Sequence, residues 1–68
     1  MLKPHEQRVV DEKIELKDKV LKLEDFLLKG KPSFIDEHNW NLLESQLEVM
    51  ITYLGILEER ISLFKVEV

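Results

Sequence analysis

From Trp40 to Phe64 the apolar residues recur at alternating steps of three and four: Trp40, Leu43, Leu47, Met50, Leu54, Leu57, Ile61 and Phe64. That period is the seam a helix presents to a partner helix, sustained here over more than three heptads. A second line runs beside it, Leu42, Gln46, Val49, Tyr53, Ile56, Arg60 and Leu63, with polar residues mixed in. One helix thus carries a full apolar seam and a partial one. A lone hairpin has no place to put both.

The N-terminal half repeats the pattern with one irregularity. Pro4 suits the first turn of a helix, where its missing N–H costs nothing. His5 to Leu28 then contains no Gly and no internal Pro, and is rich in Lys, Glu and Leu. Its stripe is Glu6, Val9, Lys13, Leu16, Val20, Leu23 and Leu27, flanked by Val10, Ile14, Leu21 and Leu28. The second half of that stripe is wholly apolar, whereas Glu6 and Lys13 interrupt the first. Asp18 and Lys22 are spaced for an i,i+4 ion pair.

Lys29-Gly30-Lys31-Pro32 stops the first helix, with Gly at or near the C′ position and Lys set against the carbonyl end. Asp36 is the expected N-cap of the second helix, Ser33 the alternative, and Ile35 can staple onto Trp40. Gly55 inside the second helix is unfavourable by roughly 1 kcal/mol relative to Ala, and such a Gly often marks close approach of a backbone or ligand. Met1 to Lys3 read as frayed or lying against a neighbour, and Lys65 to Val68 as a tail.

These readings predict an all-α fold in a single domain, residues 1–68, with helices at about 4–28 and 37–64 around a turn at about 29–36. A short connection makes the helices antiparallel neighbours. Pairing outward from the turn sets Leu27 near Trp40, Leu23 near Leu43, Val20 near Leu47, and Leu16 near Met50. Lys13 then falls near Leu54 and Gly55, Val9 near Leu57, and Glu6 near Ile61. Ordering each residue costs on the order of 1.5 kcal/mol, which two helices touching along one line do not offset. The chain has no Cys, and His5 and His38 lie far apart. Disulfides, metal sites and cofactors are therefore not expected. Association is what remains, and the hairpin is expected to assemble into an oligomeric helical bundle.

Net charge is −4 and the pI about 5.1. That argues against a DNA or RNA polymer as partner, while leaving room for a small anion held by a few local cations. No apolar run reaches membrane-span length and the N-terminus lacks a signal peptide's apolar core, so a soluble, cytoplasmic protein is expected. The end of the hairpin far from the turn gathers His5, Glu6, Arg8, Glu12, Lys13, Tyr53, Glu58, Glu59 and Arg60. Arg8, Lys13 and Arg60 have the chemistry to bind phosphate oxygens, Tyr53 or His5 to stack on a base, and a carboxylate such as Glu12 to read its edge. The competing reading joins Arg8, Lys13 and Arg60 to Glu12, Glu58 and Glu59 in a structural salt-bridge network between helices or subunits. Nothing recommends catalysis. There is no nucleophile–base set, no Gly-rich phosphate loop and no paired-His metal pattern, and adjacent Glu58 and Glu59 point to different sides.

The stretch Lys3-Pro4-His5-Glu6-Gln7-Arg8-Val9-Val10-Asp11-Glu12-Lys13, with Glu15-Leu16, resembles a family of tiny phage helical proteins named after a crAss-like gut phage. Trp40, Leu42-Leu43, Gln46-Leu47, Met50, Tyr53, Ile56-Leu57, Glu59-Arg60-Ile61 and Phe64 continue the likeness over nearly the whole chain. In size, hairpin pattern and need for company the chain is also similar to phage anti-CBASS sponges. These sequester cyclic oligonucleotide signals such as cyclic GMP–AMP in pockets shared between subunits. The likeness implies a homo-oligomer, with a tetramer favoured, in the host bacterial cytoplasm. It further implies a cyclic dinucleotide or trinucleotide ligand held without turnover. The assignment of Arg8, Lys13, Tyr53, Arg60, His5 and Glu12 to that ligand comes from their clustering at the polar end.

Overall fold

The structure, a computed structural model, describes residues 2–64. Helix α1 spans Pro4–Leu28 and α2 spans Glu37–Ser62, with no strand among the described residues. The two pack side by side as a hairpin measuring 53 × 16 × 14 Å. Met1 and the tail expected at Lys65–Val68 lie outside the described residues.

Local chemistry sets each helix end. Pro4 occupies the first position of α1, and Lys3 before it is extended (φ −70°, ψ 157°). The Lys3 carbonyl accepts the N–H groups of Glu6 and Gln7, both at 2.9 Å. The Glu6 carboxylate reaches back to the Lys3 N–H at 2.9 Å, the return half of a capping box. Lys3 is therefore tied into the helix start rather than frayed, because its backbone supplies the cap. Glu6, which looks like a flaw in the apolar stripe, is a capping residue.

At the other end Gly30 adopts φ 88° and donates to the Leu27 carbonyl at 3.2 Å, which is how a left-handed C′ glycine ends a helix. The lysines expected at that carbonyl end are engaged elsewhere. Lys29 pairs with Asp25 at 3.0 Å, and the Lys31 ammonium donates forward to the Ile35 carbonyl at 2.9 Å. Asp36, not Ser33, caps α2, its carbonyl accepting the Trp40 N–H at 3.0 Å. Its carboxylate takes a hydrogen bond from the Asn39 side chain, which holds the Asp36 pKa below its ordinary value. Helix α2 ends at Ser62, two residues short of expectation, because the closing bonds tighten to Leu63 on Arg60 and Phe64 on Ile61.

All seam positions of both helices are half-buried or buried. Near the turn the partner of Trp40 is an aromatic ring the stripe did not feature: Phe26 lies 5.9 Å away between centroids, tilted by 53°. Such a tilted aromatic pair seals the turn end. Yet among the described residues the fully covered apolar side chains are only Val20 and Leu57, at 4% and 0% exposure. Ile14, Leu21 and Leu28 on α1, and Leu42, Val49, Ile56 and Leu63 on α2, stand in solvent. The exposed surface is 5601 Å², against about 4,500 Å² for a compact chain of this mass. No described helix is long and apolar enough to cross a membrane.

Within the hairpin nothing comes near Gly55, and an added Cβ there meets no atom within 4 Å. Gly55→Ala is therefore expected to stabilise the helix by about 1 kcal/mol, a rise in thermal midpoint of about 4–8 °C by circular dichroism. A fall instead would show that another chain or a ligand lies against the position.

Candidate functional site

In an antiparallel helix pair the positions flanking the seam meet on two separate sides, because each residue advances about 100° round its helix. The Tyr53 hydroxyl donates to the Glu12 carboxylate and so marks which flanks share a side. By helical phase His5, Arg8, Glu15, Lys19 and Lys22 of α1 join Glu12 on that side, and Leu42, Gln46, Val49, Ile56, Arg60 and Leu63 of α2 join Tyr53. On the opposite side Glu24 and Leu28 of α1 line one open groove with Glu44 and Glu48 of α2. Ile14, Lys17 and Leu21 share that side in phase, as do Glu37, Ile51 and Glu58.

This arrangement sorts the charges. Arg8, Lys19 and Arg60 outnumber Glu12 and Glu15 on the Tyr53 side, where Lys22 is paired with Asp18. Glu24, Glu37, Glu44, Glu48 and Glu58 face only Lys17 on the other. The net charge of −4 thus conceals one face with a positive excess. Reading the sequence did not single out Lys19, Glu24, Glu44 or Glu48, and took Lys22 only as the partner of Asp18. Their signal was present in the heptad phase and became visible once the antiparallel pairing was drawn.

Of the six residues expected at the site, Tyr53 and Glu12 are in direct contact, and the positive charge of Arg60 acts on the Tyr53 hydroxyl. Arg8 is exposed one turn before Glu12, about 6 Å along the axis, and exposed His5 lies two turns before it, about 10 Å away. Lys13 is set apart from these. It is a half-buried seam residue, a position long cationic side chains tolerate by burying the stem and keeping the charge in water. An open groove lined by Glu48, Val49, Thr52, Tyr53 and Ile56 adjoins the tyrosine, whereas a larger one lies away at the turn end beside Phe34 and Leu42.

Within the hairpin the salt-bridge network is not formed among the described residues. Among the described residues the ion pairs are Lys22–Asp18 at 2.9 Å and Lys29–Asp25 at 3.0 Å, both exposed and one helical turn apart. Arg8, Lys13 and Arg60 take no part in them, nor do Glu12, Glu58 and Glu59. Long side chains on the outer flanks of a two-helix hairpin face water rather than each other, so their cations stay available. No group of three or more His, Asp or Glu side chains among the described residues is placed to hold a metal ion.

The Tyr53 pKa is raised above 10.0, first because its hydroxyl donates to Glu12 and further by desolvation and the Glu12 charge, with Arg60 pulling it down. A pKa raised by folding means the bond's contribution is whole below the ordinary value and is lost as pH climbs through the raised one. Tyr53 is the chain's single tyrosine, so its absorbance reports the site directly. The titration midpoint is expected above 10.0, falling toward it in Glu12→Gln and rising further in Arg60→Ala. Identical midpoints in all three proteins would mean that the Tyr53–Glu12 contact is not held in solution.

Compared with known families, the chain matches the model described as Sequestin over residues 3–63. It belongs to the Sequestin family. The match spans both helices and the turn, and so covers the stretches whose residues carried the likeness to tiny phage helical proteins. The family name denotes sequestration, a role of binding and holding rather than of turnover. No curated protein and no solved structure matches the chain. Within the Sequestin match lie all six residues gathered above, from His5 to Arg60.

Proposed function

We propose that this chain sequesters a small base-bearing polyanion, of the cyclic dinucleotide or trinucleotide class that includes cyclic GMP–AMP, in pockets between subunits and without turnover. The observation that carries the reading is the face holding Tyr53, Glu12, Arg8 and Arg60, positively charged in excess on a chain of net charge −4 from a family named for sequestration. An aromatic ring offers stacking to a base, arginines grip phosphate oxygens bidentately, and a carboxylate accepts from base-edge donors. His5 shares this side by helical phase and half-buried Lys13 sits in the adjoining seam, so both lie at the rim of the proposed site. Holding a signal needs no nucleophile and no metal.

In this reading the protein is a phage product that acts in the host bacterial cytoplasm, removing a defence signal before its receptor is reached. The open hairpin supports an assembled form, since it leaves two apolar stripes on opposite sides. Two different contact surfaces on one chain are what a tetramer with dihedral symmetry uses.

The test is a thermal-shift panel of cyclic di- and trinucleotides, with linear and diphosphate-linked nucleotides alongside, combined with mass determination of the free and bound protein. A cyclic nucleotide is expected to raise the melting temperature and to be recovered chemically unchanged. A shift with the diphosphate-linked compounds alone would move the ligand class while keeping a base-and-phosphate site. Recovery of a cleaved product would make the protein an enzyme. No shift across the panel would favour a second reading, that the exposed stripes Ile14–Leu28 and Leu42–Leu63 dock a host or phage protein.

A further inference from the structure

We infer that the exposed stripe Leu42–Leu63 of α2 is covered by the same stripe of a second copy, antiparallel about a two-fold axis beside Tyr53. Each shared site then contains Tyr53 and Glu12 from both chains. The spacing is the first argument. Leu42, Val49, Ile56 and Leu63 lie seven residues apart, so the row reads alike from either end and its centre falls at Tyr53. Reversed onto itself, the row sets Leu42 against Leu63 and Val49 against Ile56, with nothing left over. A two-fold contact requires a surface of this self-complementary kind.

Area is the second argument. These four side chains are 50–80% exposed and Tyr53 is 41% exposed. Together they offer on the order of 600 Å² per copy, which the stems of Gln46 and Arg60 extend toward the roughly 800 Å² each partner gives to a standard interface.

Charge is the third argument, and it chooses between the two faces. The stripe of Ile14, Leu21 and Leu28 is bordered by Glu24, Glu44 and Glu48. Pairing that face with its own copy would crowd carboxylates together. The α2 stripe holds only neutral residues and Arg60, and of those three carboxylates Glu48 alone also lines the groove beside Val49 and Tyr53.

The consequence concerns the ligand, and here the inference rests on the sequestering reading. Two faces with a positive excess repel mildly until a polyanion lies between them. Binding and association are therefore linked, and by mass action the ligand tightens the assembly. Two tyrosines related by a two-fold axis fit a ligand with two bases and two phosphates, one ligand for every two chains.

The chain has no cysteine, which allows a direct test. In the double variant Val49→Cys/Ile56→Cys the two thiols of one chain sit two helical turns apart, about 10 Å, too far to bridge. Mild oxidation is expected to give a covalent dimer with two disulfides. Either single variant should give almost none, because each Cys would face its own copy at the same two-turn offset. In sedimentation, Ile56→Glu should weaken association by at least about tenfold, since a buried unpaired carboxylate is costly, and Leu21→Glu should leave the α2 contact intact. Cyclic GMP–AMP added to the parent protein should strengthen association and bind at one per two chains.

Failure of the double variant to cross-link, together with unchanged sedimentation of Ile56→Glu, would overturn the contact whatever the ligand result. Cross-linking without any nucleotide effect would leave the contact standing and remove the sequestering role. Efficient dimers from Val49→Cys alone would also overturn it, by showing a different register.

Discussion

Leu57→Ala leaves the chain largely unfolded at ordinary temperature. Leu57 is the one described side chain at 0% exposure, and it lies in the seam beneath the polar end, between Tyr53 and Arg60. Trading a buried Leu for Ala costs about 2–5 kcal/mol, through lost transfer energy and the cavity left behind. A domain of this size rarely has more than about 3–5 kcal/mol to lose. Circular dichroism should show helicity collapsing, or the thermal midpoint falling beyond the measurable range. Leu42→Ala is the matched control. It removes the same atoms from a side chain that is half in solvent, so it should weaken association and leave the hairpin's own packing alone. If Leu57→Ala melts within a few degrees of the parent, the seam is not the core, and stability resides in contacts between chains.

The second large effect is on binding. Arg8→Ala and Arg60→Ala are each expected to lower affinity for a cyclic nucleotide by about 10- to 150-fold, the range for losing a hydrogen bond to a charged group. Calorimetry measures this, with helicity and assembly mass checked in parallel. Neither arginine makes an ion pair among the described residues, so both variants should keep their fold. Arg60 does lie in the last turn of α2, where a cation favours the helix end, so its loss costs a little stability as well. Arg60→Lys separates charge from geometry. The point charge survives and the bidentate fork does not, so affinity should fall between parent and Ala variant. If both Ala variants instead break into monomers with no change in the ligand affinity of what remains assembled, the arginines hold subunits together and do not hold a ligand.

The polar end carries most of the uncertainty that sequence left, and its residues met different fates. Lys13 and Glu6 looked alike in the stripe, two charges where Leu was expected. Glu6 is explained by a backbone three residues away, whereas Lys13 stays in the seam without a polar partner among the described residues. Lys13→Leu is thus the variant that separates packing from binding at that position. The Tyr53–Glu12 contact joins residues 41 apart in sequence, and no spacing within either helix foretold it.

Helix extents, the stop at Gly30, the cap at Asp36, the seam and the shortage of core were all legible in the order of the amino acids. Each depends on neighbours within about one turn, or on counting apolar residues against chain length. The pairing of Phe26 with Trp40, the Tyr53–Glu12 bond and the absence of the salt-bridge network within the described hairpin were not. They depend on how far each helix is rotated toward the other, a quantity fixed when two seams interlock and absent from either helix alone. A stripe names the residues that face inward, but which flank of one helix meets which flank of the other is settled by packing in three dimensions.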